Sequence, residues 1–282
     1  MIRILLIAGS LLATSCLSTA EPAAPARRAT ARGAVWSSDF DGVDFLAGWQ
    51  AQDRGKFGFD NLSIERDPKL PFGHFLRVRY PRGASSPRGS RAAGVKPGGA
   101  QFYGTLPQGP VDAQYLRYYV RFEPGFDFVK GGKLPGFYGG TEVSGGRIPD
   151  GTNGFSTRFM WRSEGQGEVY AYLPSSAEFG TSLGRGDFRF TPGQWHCVEQ
   201  QVVLNDPGAA NGVVRAWLDG KLVYENRSLV YRTVRSLRIE GVFFSTFFGG
   251  GDSSWAPSRD LTADFAHFAT GTSRPGCDLE LP

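Results

Sequence analysis

Residues 155–173 read FSTRFMWRSEGQGEVYAYL. Phe155, Thr157, Phe159 and Trp161 alternate with Ser156, Arg158, Met160 and Arg162; after SEGQG, Val169, Ala171 and Leu173 alternate with Tyr170 and Tyr172. A period of two puts one set of side chains on a buried sheet face and the other on the opposite face. A five-residue connection holding two glycines predicts an antiparallel hairpin. Pairing Arg162 with Glu168 would set Arg158 opposite Tyr172 and Met160 opposite Tyr170. One solvent-facing surface would then carry a hydroxyl, a guanidinium and two phenols, which is a composition suited to a site.

The same alternation recurs on either side of this hairpin. Residues 74–80 (HFLRVRY) and 113–122 (AQYLRYYVRF) read as strands. In the second, Leu116, Tyr118, Val120 and Phe122 point one way, and Arg117, Tyr119 and Arg121 the other. Residues 195–204 (WHCVEQQVVL), 237–248 (LRIEGVFFSTFF) and 262–268 (TADFAHF) read as further strands, and 34–51 holds a first one. Residues 212–225 (GVVRAWLDGKLVYE) carry Asp219-Gly220, which suits a type I′ hairpin turn. Strands at this spacing without helical periodicity predict an all-β chain, an antiparallel β-sandwich of jelly-roll type like those of lectins and glucanases. Residues 128–140 (FVKGGKLPGFYGG) hold Lys130 and Lys133 in a glycine-rich segment, where the backbone can turn close to a bound chain. The spacing GxxxxGK[ST] of a phosphate loop is missing. Residues 81–100 hold Arg82, Arg88, Arg91 and Lys96 among Pro, Gly and Ser; they read either as a basic flap over a groove or as a solvated loop. Residues 174–190 read as a loop.

The 282-residue chain has room for a sizeable core, and its 39 Gly, 18 Pro and 22 Phe favour short strands and tight turns. Residues 1–20 read as a signal peptide: Arg3 precedes an apolar run too short to span a bilayer, and Ser18-Thr19-Ala20 offers a cleavage site. Ala13-Thr14-Ser15-Cys16 resembles a bacterial lipobox with Ala where Leu is usual, so a lipid anchor at Cys16 is the one membrane attachment considered. Residues 21–34 are a flexible Ala/Pro/Arg-rich tether, and 35–282 are expected to form a single domain. The expected location is outside the cytoplasm, secreted, periplasmic or surface-anchored. In an oxidising compartment the remaining pair, Cys197 and Cys277, is expected to form a disulfide that pins the C-terminal tail. His74, His196 and His267 show no clustered ligand spacing, so neither a metal nor another cofactor is expected. The formal charge of +4 falls to +3 once Arg3 leaves with the signal region; this is too little to argue for nucleic acid and compatible with an acidic polysaccharide in a basic groove. A monomer is expected.

Four segments, YYVRFEPGFDFVKGGKLPGFYGG, GFSTRFMWRSEGQGEVYAYLP, FTPGQWHCVEQQVVLN and FFSTFFGGGDSSWAP, together resemble polysaccharide lyase family 14. The resemblance runs over residues 101–268 and implies a β-jelly roll acting on an acidic polysaccharide such as alginate or glucuronan. The family's functional lysine matches Lys133 in GGKLPG, its Ser-x-Arg pair matches Ser156 and Arg158, and its Tyr-x-Tyr pair matches Tyr170 and Tyr172. All five are intact. Arg117, Tyr119, Arg121 and Lys130 are further candidates for substrate contact.

Such a lyase must neutralise the uronate C6 carboxylate, remove the C5 proton and help the 4-oxygen depart. A guanidinium offers a carboxylate a bidentate fork, which assigns neutralisation to Arg158 with Lys133 in support. The base then comes from Tyr170, Tyr172 or Lys133. A tyrosine base near pH 8 needs its pKa lowered from ~10 to ~8, about 2.7 kcal/mol. Tyr172 is expected to act as base or acid, with Tyr170 positioning or sharing the role, and Ser156 to donate a hydrogen bond to substrate. Two other classes compete. A carbohydrate-binding protein on the same fold would keep the groove without needing a poised phenol. A glucanase-like hydrolase would need closely spaced carboxylates of the form Glu-x-Asp-x-x-Glu, and no such run occurs.

Overall fold

The computed structural model describes residues 34–281 apart from Val43 and Glu142. The signal peptide, the Cys16 lipobox and all but the last residue of the tether lie outside the described residues.

Fourteen strands form two antiparallel sheets. The first contains β1 (Ala34–Ser38), β2 (Leu62–Arg66), β3 (His74–Tyr80), β5 (Ala113–Phe122), β10 (Trp195–Val203), β11 (Gly212–Leu218), β12 (Lys221–Leu229) and β14 (Leu261–Gly271). Its order is β12-β11-β10-β5-β14-β3-β2, with β1 also paired to β14. The second contains β4 (Ala100–Thr105), β6 (Gly131–Gly140), β7 (Gly154–Arg162), β8 (Gln166–Tyr172), β9 (Thr181–Arg189) and β13 (Gly241–Thr246), in the order β4-β13-β6-β7-β8-β9. Among the described residues, helix is confined to α1 (Phe45–Trp49), α2 (Pro87–Ala92) and single 3-10 turns. This is the all-β jelly-roll sandwich expected from the strand spacing.

The core lies between the sheets and is built from the inward halves of the alternating strands. Leu116, Tyr118, Val120 and Phe122 of β5 meet Phe155, Phe159 and Trp161 of β7 and Val169 and Ala171 of β8, all buried. Trp161 sits edge-on to Tyr80, Phe122, Phe126 and Phe248 at centroid distances of 5.3–5.9 Å, a geometry favoured by the ring quadrupole. Polar links cross this apolar layer, among them one between β7 and β10. Thr157 Oγ1 donates to Gln200 Oε1 at 2.8 Å, and Gln200 Nε2 donates to the Thr157 carbonyl at 2.8 Å. The pair satisfies groups that would be costly to bury alone, and it ties β7 to β10 across the sandwich.

The β7–β8 hairpin keeps the predicted faces and changes the register. The observed pairs are Ser156 with Tyr172, Arg158 with Tyr170 and Met160 with Glu168. The turn is tighter than SEGQG suggests: Ser163–Gly165 close it, with Glu164 (φ 57°) and Gly165 (φ 73°) left-handed, so Gln166 and Gly167 extend the strand. The displacement is two residues, which preserves face parity. Arg162 still reaches Glu168 diagonally, at 2.7 Å.

Two strands appear where loops were expected. β6 occupies the glycine-rich segment, with a register shift at Pro135 between Leu134 and Gly136; a bulge accommodates the missing N–H. β9 lies at the sheet edge and is largely polar, so it carries no alternation signal. Residues 81–100 are neither wholly flap nor wholly loop: α2 starts at Pro87 and is capped by Ser86, whose Oγ accepts from Gly89 N.

Candidate active site

A cleft of about 610 Å³ opens on the face of the six-stranded sheet turned away from the core. Lys133 from β6, Arg158 and Arg162 from β7, and Tyr170 and Tyr172 from β8 contribute its floor. Ser86, Pro87 and Arg88 of the α2 segment and Gly249, Gly250, Gly251 and Trp255 form one wall, while Ser144, Gly145 and Phe179 come from other loops. Three lining residues are arginines and a fourth is Lys133, and among the described residues none of the lining is a carboxylate. The field in the cleft therefore favours an anion.

Arg158 is 1% exposed, not on an open surface as alternation suggested. It is enclosed by side chains of neighbouring strands, Phe243 and Ser245 of β13 and Tyr172 of β8, and still lines the cleft. Its Nη1 donates to Ser245 Oγ at 3.0 Å, Ser245 donates to Gln101 Oε1 at 3.3 Å, and Gln101 Nε2 donates to the Gly55 carbonyl at 2.8 Å. The guanidinium lies 4.7 Å from the Phe243 ring centroid and 5.9 Å from that of Tyr172. Its Nε is buried without a partner. Burial draws the guanidinium pKa down, against the neighbouring phenols Tyr172, Tyr103 and Tyr170.

Lys133 is half-buried and lines the cleft. Nζ lies 2.7 Å from Met160 Sδ and 3.8 Å from the Tyr170 ring centroid. A thioether is a weak acceptor, and a ring face is a modest partner for a cation. Burial, reinforced by Arg158 and Arg162 and opposed by Glu168, pulls the ammonium pKa well below the usual lysine range. Lys133 is thus poised to be a neutral amine.

Tyr170 takes the opposite course. Burial pushes its phenol up to about 12, with Tyr172 adding to the rise and Arg158 and Arg162 opposing it. It cannot serve as a base near neutrality and is available as a donor. Tyr172 Oη accepts from Gly146 N at 3.2 Å. Gly180 lets the chain cross both phenols: a Cβ there would sit 2.8 Å from carbons of each ring.

Ser156 shares the face but not the cleft. It is fully buried, and its hydroxyl donates to the Val143 carbonyl at 2.7 Å, holding the loop that presents Ser144 and Gly145. Lys130 is exposed outside the lining; its Nζ donates to Ser254 Oγ at 2.6 Å, beside Trp255.

Arg117, Tyr119 and Arg121 do not belong to the cleft. They stand on β5, on the outer face of the other sheet. Arg117 donates to the Gly276 carbonyl at 3.3 Å, and Arg121 pairs with Asp264 at 2.8 Å and lies over Trp195. Tyr119 packs with Leu70, Phe72 and Cys197. Alternation identifies the outward face of a strand, but a sandwich has two outward faces, and the pattern does not say which sheet a strand joins. The Cys197–Cys277 disulfide is formed on this same side, with a Cα–Cα distance of 5.8 Å. His196 bridges the Thr191 N–H and Asp219, and His267 pairs with Asp39.

Several residues in or behind the cleft were not singled out from sequence. Ser245 carries a readable signal, since Phe243, Ser245 and Phe247 alternate with Phe244, Thr246 and Phe248. Trp255 follows three consecutive glycines after that strand, the same kind of cue that drew attention to Lys133. Gln101 has no local signal; it reaches the site by pairing with Ser245 across β4 and β13.

The family model for polysaccharide lyase 14 matches residues 71–268. A marine PL-14 alginate lyase from Aplysia kurodai superposes with a TM-score of 0.72 at 32% identity, covering 84% of this chain and 98% of that one. Alginate lyase vAL-1 from a Chlorella virus gives 0.64 at 22% identity over 75% and 89% of the two chains. An endo-β-1,4-glucuronan lyase from the fungus Trichoderma reesei gives 0.55 at 12% over 85% and 96%, a likeness of fold alone. No curated protein sequence matches this chain. The fold and cleft are those of a polysaccharide-cleaving β-sandwich, and the chain belongs to polysaccharide lyase family 14.

Proposed function

We propose that this polysaccharide lyase cleaves a 4-O-linked uronan of the alginate or glucuronan type by β-elimination. The observation that carries the reading is the placement of Lys133, Arg158, Tyr170 and Tyr172 in one cation-lined cleft. The names of the similar structures, alginate lyases and a glucuronan lyase, support the substrate class. Export, expected from the N-terminal segment, suits a polymer substrate.

In this reading Arg158 receives the C6 carboxylate and holds the charge that spreads onto it as C5 loses its proton. A preorganised cation in a shielded site is among the largest contributions an enzyme makes. The Lys133 amine takes the C5 proton, because its ammonium is disfavoured where it lies. The C5–H electrons form the C4–C5 double bond, the C4–O4 bond breaks, and Tyr172 supplies the proton to the departing oxygen. Return of the Lys133 proton to the Tyr172 phenolate, directly or through solvent, restores both groups. Tyr170 stays a phenol and donates to the bound sugar. Ser156 acts indirectly, by holding the loop at Val143.

The test is absorbance near 235 nm, where the unsaturated uronate absorbs, with the purified chain on alginate and on glucuronan over a range of pH. The expected result is a rise on at least one polymer. Since the reacting form of Lys133 is the amine, the rate should climb as the ammonium loses its proton, with a midpoint below ~10.4. The bound carboxylate draws that pKa part of the way back up, so the kcat limb should lie at higher pH than the kcat/KM limb. Lys133→Ala should lower kcat by about 10²-fold or more. No absorbance rise on either polymer, with binding still measurable, would move the assignment to carbohydrate binding without elimination.

A further inference from the structure

Glu168 stands on β8, on the same face as Tyr170 and Tyr172, with no exposed surface. Its Oε1 accepts from Arg162 Nη2 at 2.7 Å and from Nε at 2.9 Å. Its Oε2 is buried with no hydrogen-bond partner. Leaving a buried acceptor unsatisfied is costly, and more so for a charged group. Arg162 alone does not account for a carboxylate held in this way.

The strand register points to the missing partner. Lys133 pairs with Met160, and Met160 pairs with Glu168, so the three form one row across β6, β7 and β8. The outer two are about 9.6 Å apart at the backbone, within the combined reach of a lysine stem of roughly 6 Å and a glutamate of roughly 4 Å. An amine resting on a weak thioether acceptor and a carboxylate with an unused oxygen thus face each other over one methionine. The other charged or titratable groups around Lys133 are Arg158 and Arg162 from β7, Tyr170 and Tyr172 from β8, and Arg88 across the cleft. None of these is an anion before the C4–O4 bond breaks; Tyr172 becomes a phenolate only on giving its proton to the departing oxygen.

We propose that Glu168 is a positioning residue for proton transfer: its Oε2 is the resident counter-anion for the ammonium that Lys133 becomes on taking the C5 proton. The inference rests on the reading of Lys133 as base. Without an anion, proton uptake would place a third cation beside Arg158 and Arg162. With Glu168 in the row, the new ammonium exchanges Met160 Sδ for a carboxylate oxygen. Met160 is then the hinge over which the lysine moves.

The experiment is the pH profile of 235-nm elimination for the full chain and for Glu168→Gln. The wild-type chain is measured first; no elimination there sinks the lyase reading itself. With an active wild type, Glu168→Gln should move the acid limb of kcat/KM about one pH unit lower, because an anion that favours the ammonium is gone. Its kcat plateau should fall about tenfold, with KM within about threefold. Glu168→Asp, which retains the charge, should return most of the kcat. The same Glu168→Gln exchange in an Arg162→Met background leaves no buried guanidinium unpaired, and there too the limb should lie below that of Arg162→Met alone. An acid limb that stays in place in both backgrounds, whatever happens to stability, would overturn the inference and leave Glu168 as a structural partner of Arg162.

Discussion

Arg158 shows what alternation in a sequence does and does not carry. Its face was readable, because a two-residue period fixes parity. Its burial was not, because side chains packed around it, Phe243 and Ser245 among them, come from a strand far along the chain. That changes what a substitution should do. The guanidinium has no carboxylate partner, and its Nε makes no hydrogen bond. Burying an unpaired charge costs several kcal/mol even after relaxation. Arg158→Met, which keeps most of the volume against Phe243, should therefore hold or raise resistance to urea while lowering turnover about 10²–10³-fold. A loss of stability parallel to the loss of activity would assign Arg158 to packing. The shifts at Lys133 and Tyr170 were equally out of reach of the sequence. Both come mainly from burial, and they run in opposite directions for an amine and a phenol, which is how two neighbours come to hold different protonation states at one pH.

Among the elements, most strands that alternate were found, β2 and β4 were not singled out, and β6 and β9, which lack alternation, were missed. β3 and β5 coincide with their expected spans. β6 was hidden by GGKLPGFYGG, since glycine and proline ordinarily mark loops. The structure explains those residues by close approach: a Cβ at Gly136 would lie 2.1 Å from the Thr157 carbonyl oxygen. The glycines let β6 sit tightly against the strand that bears Arg158. Gly180 does similar work on the other side, where its backbone presses on both phenols. Gly180→Ala should push the Tyr170 and Tyr172 rings aside and lower kcat about tenfold or more, since displacements near 1 Å are costly at a reacting centre. Thermal unfolding should change little, because the loop is at the surface. Wild-type kcat in this variant would mean that the ring positions do not matter to turnover.

For the whole molecule, the disulfide was readable because only two cysteines follow the expected signal peptide, whereas the assignment of strands to sheets was not. The outer face of the eight-stranded sheet is covered by the C-terminal tail. Cys277 is bonded to Cys197, Arg274 pairs with the buried Glu199, and Leu279 and Leu281 pack beside Tyr119. Arg117, Tyr119 and Arg121 belong to this covered layer, one full sandwich thickness from the cleft. Replacing both cysteines with serine should lower stability by about 2–4 kcal/mol, or roughly 5–15 °C in Tm for a chain of this size. Turnover of the folded protein should stay near wild type. A selective loss of kcat, with Tm unchanged, would connect the tail to the cleft.

The cleft also divides the chain in a way that bears on how such a protein can diversify. Its floor belongs to three adjacent strands, pinned to the opposite sheet through Thr157 and Gln200. Its sides are supplied by segments widely separated along the polypeptide, around residues 86–88, 144–145, 179 and 249–255. On the proposed reading, a change at a position of these segments that faces only the open cleft alters which polymer fits, whereas Gly146 and Gly180 touch the phenols and a change there reaches the reacting groups as well. Selectivity and reactivity are therefore encoded largely in different stretches of sequence, joined at those two glycines.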